Sequence, residues 1–358
     1  MESMVKLINT FKDRRIIVTG HTGFKGSWLT LWLSMLGAKV TGISLDPKDP
    51  LDAYYAMGIK NLSEDLRQDI REFKGLFNII NSTEPEIIFH LAAQPLVSQS
   101  YLQPLETLCT NIMGTANLLE ACRLTPSVKT IIVITTDKCY ENTGKHLPYN
   151  EDDRLGGEDP YSSSKAAAEL VVNSYRKSFF SSANSPGIAT ARAGNIIGGG
   201  DWAENRIVPD CIRALKEGRQ ILIRNPASVR PWQNILEPLY GYIILAEKCF
   251  TNNKLFSEAW NFGPECNSVY NVWQLGEGII KAWGSGTLVK SGEKQKIKEA
   301  DYLSLNINKA KEMLSWTPVL TFQDSVGLTV DWYKAQAEGK DMLKFSIEQI
   351  ENYMQLIQ

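Results

Sequence analysis

Short runs of apolar residues, each closed by a glycine or a small polar residue, alternate with longer segments whose apolar positions recur at helical spacing. The runs at 15–20, 39–45, 86–91, 129–134 and 188–192 read as strands, with a weaker segment ending at Asp69-Ile70. Strands that are apolar throughout, rather than at alternate positions, are buried on both faces, as in parallel sheets. Helices are expected between them at 27–36, 104–123 and 161–180. The alternation predicts an α/β fold, a doubly wound parallel sheet with helices on both faces. Beyond Asn195 the pattern loosens into mixed strands and helices. A first domain over 1–194 and a smaller C-terminal α/β lobe over 195–358 are expected, with at least one later strand returning to the first sheet. The Asn-Phe-Gly-Pro stretch at 261–264 reads as a turn and the charged stretch at 290–301 as a solvated loop. Helical patterns close the chain from Phe322 onward.

Composition narrows the function classes. The chain has 358 residues with 38 basic and 40 acidic side chains, a net charge near −2. That balance gives no electrostatic reason to bind nucleic acid or an anionic membrane. A hydrophobic content of 43% suits one large domain or two interleaved ones. None of the six cysteines forms a Cys-x-x-Cys pair, and several fall in apolar stretches as small buried hydrophobes. His21, His90 and His146 show no metal-ligand spacing, so no metal is expected. The N-terminus lacks a signal-peptide run and no stretch reaches membrane-span length. A cytoplasmic enzyme is expected.

The first strand runs into Gly20, Gly23 and Gly26 and then a helix. This is the Rossmann arrangement for a dinucleotide: a tight turn, close backbone approach to the pyrophosphate, and a helix N-terminus facing the phosphates. Thr22, Phe24 and Lys25 fill the turn, and His21 belongs to it as well. Asp46, twenty positions after Gly26, ends the second strand, where a carboxylate binds the adenosine ribose hydroxyls and repels a 2′-phosphate. NAD is therefore expected over NADP, with Lys25 and Lys48 as nearby cations that pull the other way. Asp69 and Ile70 would flank the adenine. Leu91, Ala92 and Ala93 follow the fourth strand, and small residues there let the cofactor lie against the backbone. Thr135-Thr136-Asp137-Lys138 sits at the carboxyl end of the fifth strand, where ligands of such sheets bind.

Tyr161 and Lys165 are four residues apart, so on a helix they share a face one turn apart. A phenol loses its proton near pH 10 (about 10 in model peptides). A fixed cation close by favours the phenolate and is expected to lower that value, making a base for a hydroxyl proton.

Together these stretches resemble the extended short-chain dehydrogenase/reductases: 19–26, Leu91-Ala-Ala-Gln94, Thr135-Thr-Asp-Lys138, Tyr161-x-x-x-Lys165 and Arg192-Ala-Gly-Asn195, in order across nearly the whole chain. More narrowly, Gly20-His-Thr-Gly-Phe-Lys-Gly-Ser-Trp28 with Thr-Asp-Lys-Cys-Tyr140 is similar to the CDP-glucose 4,6-dehydratase branch. The resemblance implies conversion of CDP-glucose to CDP-4-keto-6-deoxyglucose with NAD recycled, feeding dideoxysugars of bacterial surface polysaccharides such as O-antigen. It implies Tyr161 and Lys165 as base and partner, Thr136 on the sugar 4-oxygen, and Asp137 as acid toward the 6-hydroxyl. Related dTDP-glucose enzymes carry Asp-Glu where this chain has Asp137-Lys138, so Lys138 is either the C5 base or a cation that stabilises the C4 enolate. For the substrate, Asn195, Arg206 and Arg230 are expected, since guanidinium groups suit a diphosphate, with Gln94 and Tyr302 near the sugar. The resemblance also implies a homodimer built from the helices at 105–124 and 161–180, or a homotetramer. The rival readings are another nucleotide-sugar dehydratase or 4-epimerase, and a non-catalytic NAD-sensing protein on the same fold.

Overall fold

The computed structural model describes residues 2–47, 49–144, 147–266, 268–292 and 302–357. Lys48, His146 and most of the charged stretch at 290–301 lie outside the described residues.

Six strands follow in order: β1 Arg15–Thr19, β2 Lys39–Ser44, β3 Glu64–Arg67, β4 Ile87–His90, β5 Thr130–Ile134 and β6 Gly187–Ala193. A seventh, Ala259–Phe262, adds to the edge, giving the spatial order Ala259–Phe262, β6, β5, β4, β1, β2, β3. Every pairing in this sheet is parallel. β1, β4, β5 and β6 are buried almost throughout, which is why their sequences show runs rather than alternation. The strand order reverses between β1 and β4, so a crevice opens there beyond the carboxyl ends.

The seventh strand is the returning one that the pattern called for, but it corrects the reading of 261–264 as a turn. Asn261 and Phe262 pair with Arg192 and Ala193, and the turn begins only at Gly263. The physical reason is burial: Trp260, Asn261 and Phe262 are fully enclosed, and only a strand supplies their backbone groups with partners there. The helix Leu236–Thr251 also returns, buried over most of its length behind β5 and β6. Much of the sequence after 195 thus completes the first layer.

The helix expected over 104–123 is interrupted. It runs as Pro104–Leu108, a π-helical turn at Cys109–Met113, and Gly114–Arg123. Asn111 in that turn is buried, accepts from the Gln94 N–H at 2.8 Å, and donates to Ser164 Oγ at 2.8 Å. One extra residue per turn aims this amide at the crevice rim, a common use of a π-bulge.

The stretch at 198–200 is packed closely on both sides. A Cβ on Gly199 would lie 2.0 Å from the Trp332 ring, and Gly200 has φ +81° against Ala53. Trp28 in the helix Phe24–Met35 donates to the Gly199 carbonyl at 2.9 Å. The glycines let this return pass between that helix and the helix Phe322–Ala337, which the closing pattern anticipated together with Met342–Leu356. Cys122, Cys139, Cys211 and Cys249 are buried thiols, whereas Cys109 and Cys266 are exposed. No helix among the described residues is long and apolar enough to cross a membrane.

Candidate active site at the carboxyl end of the sheet

The glycine turn has the shape of a phosphate cradle. Gly20 has φ +75°, and a Cβ there would lie 2.8 Å from the Ala92 N. On Gly26 a Cβ would lie 2.0 Å from the Gly20 carbonyl oxygen, so only hydrogen fits. Gly23 caps the helix Phe24–Met35 without a side chain, leaving the helix N-terminus open toward the crevice. Thr22 turns inward, its hydroxyl 2.7 Å from Ser44 Oγ and donating to the Leu45 carbonyl, and so ties the turn to the end of β2. Leu91 and Ala92 run alongside, both N–H groups donating to Thr19, with Ala93 next in the crevice wall. Asp46 lies two residues beyond β2, largely exposed, and pairs with Arg67 at 2.7 Å.

Two expected adenine neighbours are engaged elsewhere. The Asp69 carboxylate takes two hydrogen bonds from Arg71 Nε and Nη2 at 2.9 and 2.6 Å. Ile70 is buried in the core under Gly114, where a Cβ would approach its Cδ1 to 2.5 Å.

The helix Pro160–Ser178 carries Tyr161 and Lys165 and is fixed at its start. Asp159 accepts from the Ser162 N–H at 2.9 Å, and Pro160 occupies the first turn. Tyr161 is thereby held in the first turn and Lys165 one turn further, its Nζ donating to the Ile134 carbonyl at 3.1 Å. At the end of β5, Thr136 Oγ1 donates to Asp137 Oδ1 at 3.0 Å. Asp137 Oδ2 is buried without a hydrogen-bond partner, and a Cβ on Gly194 would collide with it at 2.0 Å. The Tyr161 phenol hydrogen-bonds the Thr136 side chain and lies within electrostatic reach of the Asp137 carboxyl, so the three groups are neighbours.

The phenol does not follow the sequence-based expectation in the protein alone. Burial pushes Tyr161 up to about 12, Asp137 adds to this, and the Thr136 hydroxyl and the Arg206 charge pull the other way. Lys165 is itself pushed down to about 8, first by burial, with Glu169 opposing. Lys25 falls to about 7, through burial and then repulsion by Lys165 and Arg206. Lys25, Lys165 and Arg206 thus converge near Asp137 and Asp201, and an anionic ligand there would favour the charged forms of both lysines.

The expected substrate residues divide. Asn195, at φ 23°, has its buried Oδ1 without a partner. Arg206 donates to Asp201 at 2.8 Å and reaches Tyr161 electrostatically. Arg230 is buried in the strand Val229–Arg230, and Val229 bridges to Tyr302, so these two residues are neighbours in the second lobe. Gln94 is tied into its own loop: its amide donates to Thr107 at 2.8 Å and accepts from the Leu96 N–H at 2.6 Å. Thr135 also turns away from the crevice, donating to Glu169 at 2.5 Å. Lys138 is half-buried beside Asp137 in the short 3-10 turn Asp137–Cys139.

Sequence reasoning missed the support beneath this site. Glu169 is buried and accepts from Thr135, Thr190 at 2.8 Å and Arg192 at 2.9 and 3.0 Å. Its signal was present, since it lies one helical turn after Lys165 on the same face. Gln233, whose amide donates to the carbonyls of Gly194 and Phe262, and Tyr242, a buried phenol within electrostatic reach of Tyr161, carried no such signal.

Comparison with known proteins places this architecture. The chain is 45% identical over 351 residues to a CDP-glucose 4,6-dehydratase of Salmonella typhimurium, covering 97% of this chain and 98% of that one. Its fold is similar to a dTDP-glucose 4,6-dehydratase of Streptomyces venezuelae solved with NAD and TYD bound (TM-score 0.78, 20% identity, 92% and 99% of the two chains covered). It is also similar to a UDP-glucose 4-epimerase of Thermotoga maritima (TM-score 0.77, 23% identity, 90% and 99% covered). Residues 17–329 match the family described as GDP-mannose 4,6 dehydratase. With that match spanning most of its length, the chain belongs to the GDP-mannose 4,6 dehydratase family.

Proposed function

We propose that this protein is a cytoplasmic CDP-glucose 4,6-dehydratase that retains and recycles NAD. The observation that carries the reading is the 45% identity, over nearly the full length of both chains, to a protein of that activity. The glycine cradle, the exposed Asp46 and the cluster of cations support a dinucleotide lying across the carboxyl ends of β1 and β4. Gly20, Thr22, Gly23, Phe24, Lys25 and Gly26 would hold the pyrophosphate and Asp46 the adenosine ribose, with Leu91, Ala92 and Ala93 along the nicotinamide half. When bound, NAD would supply the hydride acceptor for the sugar C4 and the hydride donor for C6.

The chain's own residues handle the protons. Tyr161, next to Lys165, removes the proton of the sugar 4-hydroxyl, and Thr136 hydrogen-bonds the same oxygen. The Thr136 hydroxyl and the Arg206 charge favour the phenolate over what burial alone allows. The resulting C4 ketone acidifies the C5 proton. Lys138 takes that proton or steadies the enolate as a cation. Asp137 gives a proton to the leaving 6-hydroxyl as water is lost, and once hydride has reached C6 the C5 carbon takes a proton back from Lys138 or from solvent. The Oδ2 of Asp137, buried without a hydrogen-bond partner, supports this role, because a buried carboxyl oxygen left unpaired favours carrying a proton. Asn195, Arg206 and Arg230 bind the nucleotide diphosphate. Leu102, Leu105, Met113 and Leu170 are exposed on the packed helices of 97–113 and 160–178, which supports a homodimer through that face.

The test is incubation with CDP-glucose and NAD in heavy water. Mass spectrometry should find a product that has lost one water and gained one deuteron at C5. Parallel reactions with dTDP-, UDP- and GDP-glucose should be slower. Turnover without loss of water would instead mark an epimerase, and NAD binding without any turnover would mark a sensor.

A further inference from the structure

Arg67 is the last residue of β3, in register with Ser44, so it stands at the carboxyl edge of the sheet beside the loop that carries Asp46. Its Nε donates to Asp46 Oδ1 at 2.7 Å. The rest of the guanidinium is held independently of Asp46. Nη1 and Nη2 donate to the two oxygens of Asp65 at 2.5 and 3.1 Å, and Nη2 donates to the Tyr54 hydroxyl at 3.0 Å. Asp65 is itself fixed by His21 Nε2 of the glycine turn at 2.5 Å and by Tyr54 at 2.8 Å. The fold thus fixes a guanidinium beside Asp46 and anchors it to the turn that cradles the phosphates.

The charges decide what this corner accepts. Asp46 and Asp65 oppose Arg67, and burial holds His21 below its usual range and so favours its neutral form. The corner is then net negative and repels a phosphomonoester. Without Asp46 it would be neutral, with one guanidinium edge, the Nε side, freed toward the crevice. The two oxygens of a carboxylate are about 2.2 Å apart, so a ribose hydroxyl bound to Asp46 lies within about 6 Å of that edge, within reach of a phosphate on the same hydroxyl.

We propose that Arg67 is a latent 2′-phosphate site, masked by its ion pair with Asp46, and that this pair rather than Asp46 alone sets the choice between NAD and NADP. The inference rests on the reading of Asp46 as the ribose ligand. An arginine at this corner is a recognised means of accepting the 2′-phosphate, and here the arginine is already present and occupied.

Isothermal titration of the purified full chain with NAD and with NADP separates the possibilities without using activity. Asp46→Ser should weaken NAD several-fold and tighten NADP about tenfold or more, with a steep loss of the NADP gain at high salt. Asp46→Ser/Arg67→Met should lose that gain, and Asp46→Ser/Arg67→Lys should keep part of it, a control for variants that disturb Asp65 or Tyr54. If Asp46→Ser leaves both affinities unchanged, the ribose reading itself is overturned. If NAD weakens but NADP gains nothing, or if the gain survives Arg67→Met, the ribose reading stands and the role of Arg67 is overturned.

Discussion

Replacing Arg192 by methionine tests whether the buried pair beneath the active site holds it in place. Arg192 and Glu169 are both almost completely enclosed, and the guanidinium makes two bonds to the carboxylate as well as bonds to the Tyr140 hydroxyl and the Glu151 carbonyl. Burial alone would raise the Glu169 pKa, but the Arg192 charge and the bonds from Arg192, Thr135 and Thr190 hold it below the ordinary value. Removing one partner of such a pair leaves an uncompensated buried charge and costs about 3–5 kcal/mol. The unfolding entropy of a 358-residue chain is about 0.75 kcal/mol/K at about 2.1 cal/mol/K per residue. Arg192→Met should therefore lower Tm by about 4–7 °C at pH 7. Adding Glu169→Gln should restore at least half of that loss, because the stranded charge is gone while an acceptor for Thr135 remains. The pH dependence has a definite sign. A carboxyl with a depressed folded pKa stabilises above its unfolded value of 4.5, and that stabilisation is lost as pH falls through the folded value. The gap between wild type and Arg192→Met should be full at pH 7 and should close below the unfolded value. The assay is thermal unfolding followed by circular dichroism across pH. A Tm change under about 1 °C at pH 7, or a double variant no more stable than the single one, would refute the reasoning.

Four further outcomes are expected. Gly26→Ala puts a Cβ 2.0 Å from the Gly20 carbonyl oxygen, so the turn must open; NAD affinity measured by titration should fall by an order of magnitude or more while the far-ultraviolet spectrum is retained. Tyr161→Phe should leave NAD affinity nearly unchanged and slow C4 oxidation by about 10²–10⁴-fold, and a loss below tenfold in single-turnover NADH formation would count against Tyr161 as the base. Lys138→Met should still give bound NADH with CDP-glucose but lose C5 hydrogen exchange with solvent, and full turnover in that variant would exclude a chemical role. Glu237 is raised to about 7, chiefly by burial, although it accepts from the N–H groups of Val319 and Leu320 and from Tyr353. The protonated form is favoured in the fold, so stability is lost as pH rises from about 4.5 toward 7. Glu237→Gln should raise Tm at pH 8 and change it little at pH 5.

Much of the site could be read from local sequence because its parts are local. The glycines before a helix, the carboxylate after β2 and a tyrosine one turn before a lysine each have a function that depends on a few neighbouring residues. The structure brings Thr136, Asp137 and Tyr161 together, with Lys165 one helical turn beyond Tyr161. What local sequence could not show is who else claims a side chain. Thr135, Gln94 and Asp69 look available in sequence, yet Glu169, Thr107 and Arg71 have taken their polar groups. Burial, a property of the whole surroundings, is likewise what raises the Tyr161 phenol in the protein alone, against the Thr136 hydroxyl and the Arg206 charge.

The sequence by itself determined the strand and helix alternation, the glycine turn and the one-turn spacing of Tyr161 and Lys165, since each is written within a span of a few residues. Only the tertiary structure decided that Ala259–Phe262 closes the sheet, that Glu169 and Arg192 brace the strand end beneath Asp137, and that Arg67 meets Asp46. Those contacts join positions from twenty-one to sixty-nine residues apart. Hydrophobic periodicity can assign such residues to a face, but their partners across the crevice are fixed only when strand order and burial are settled together.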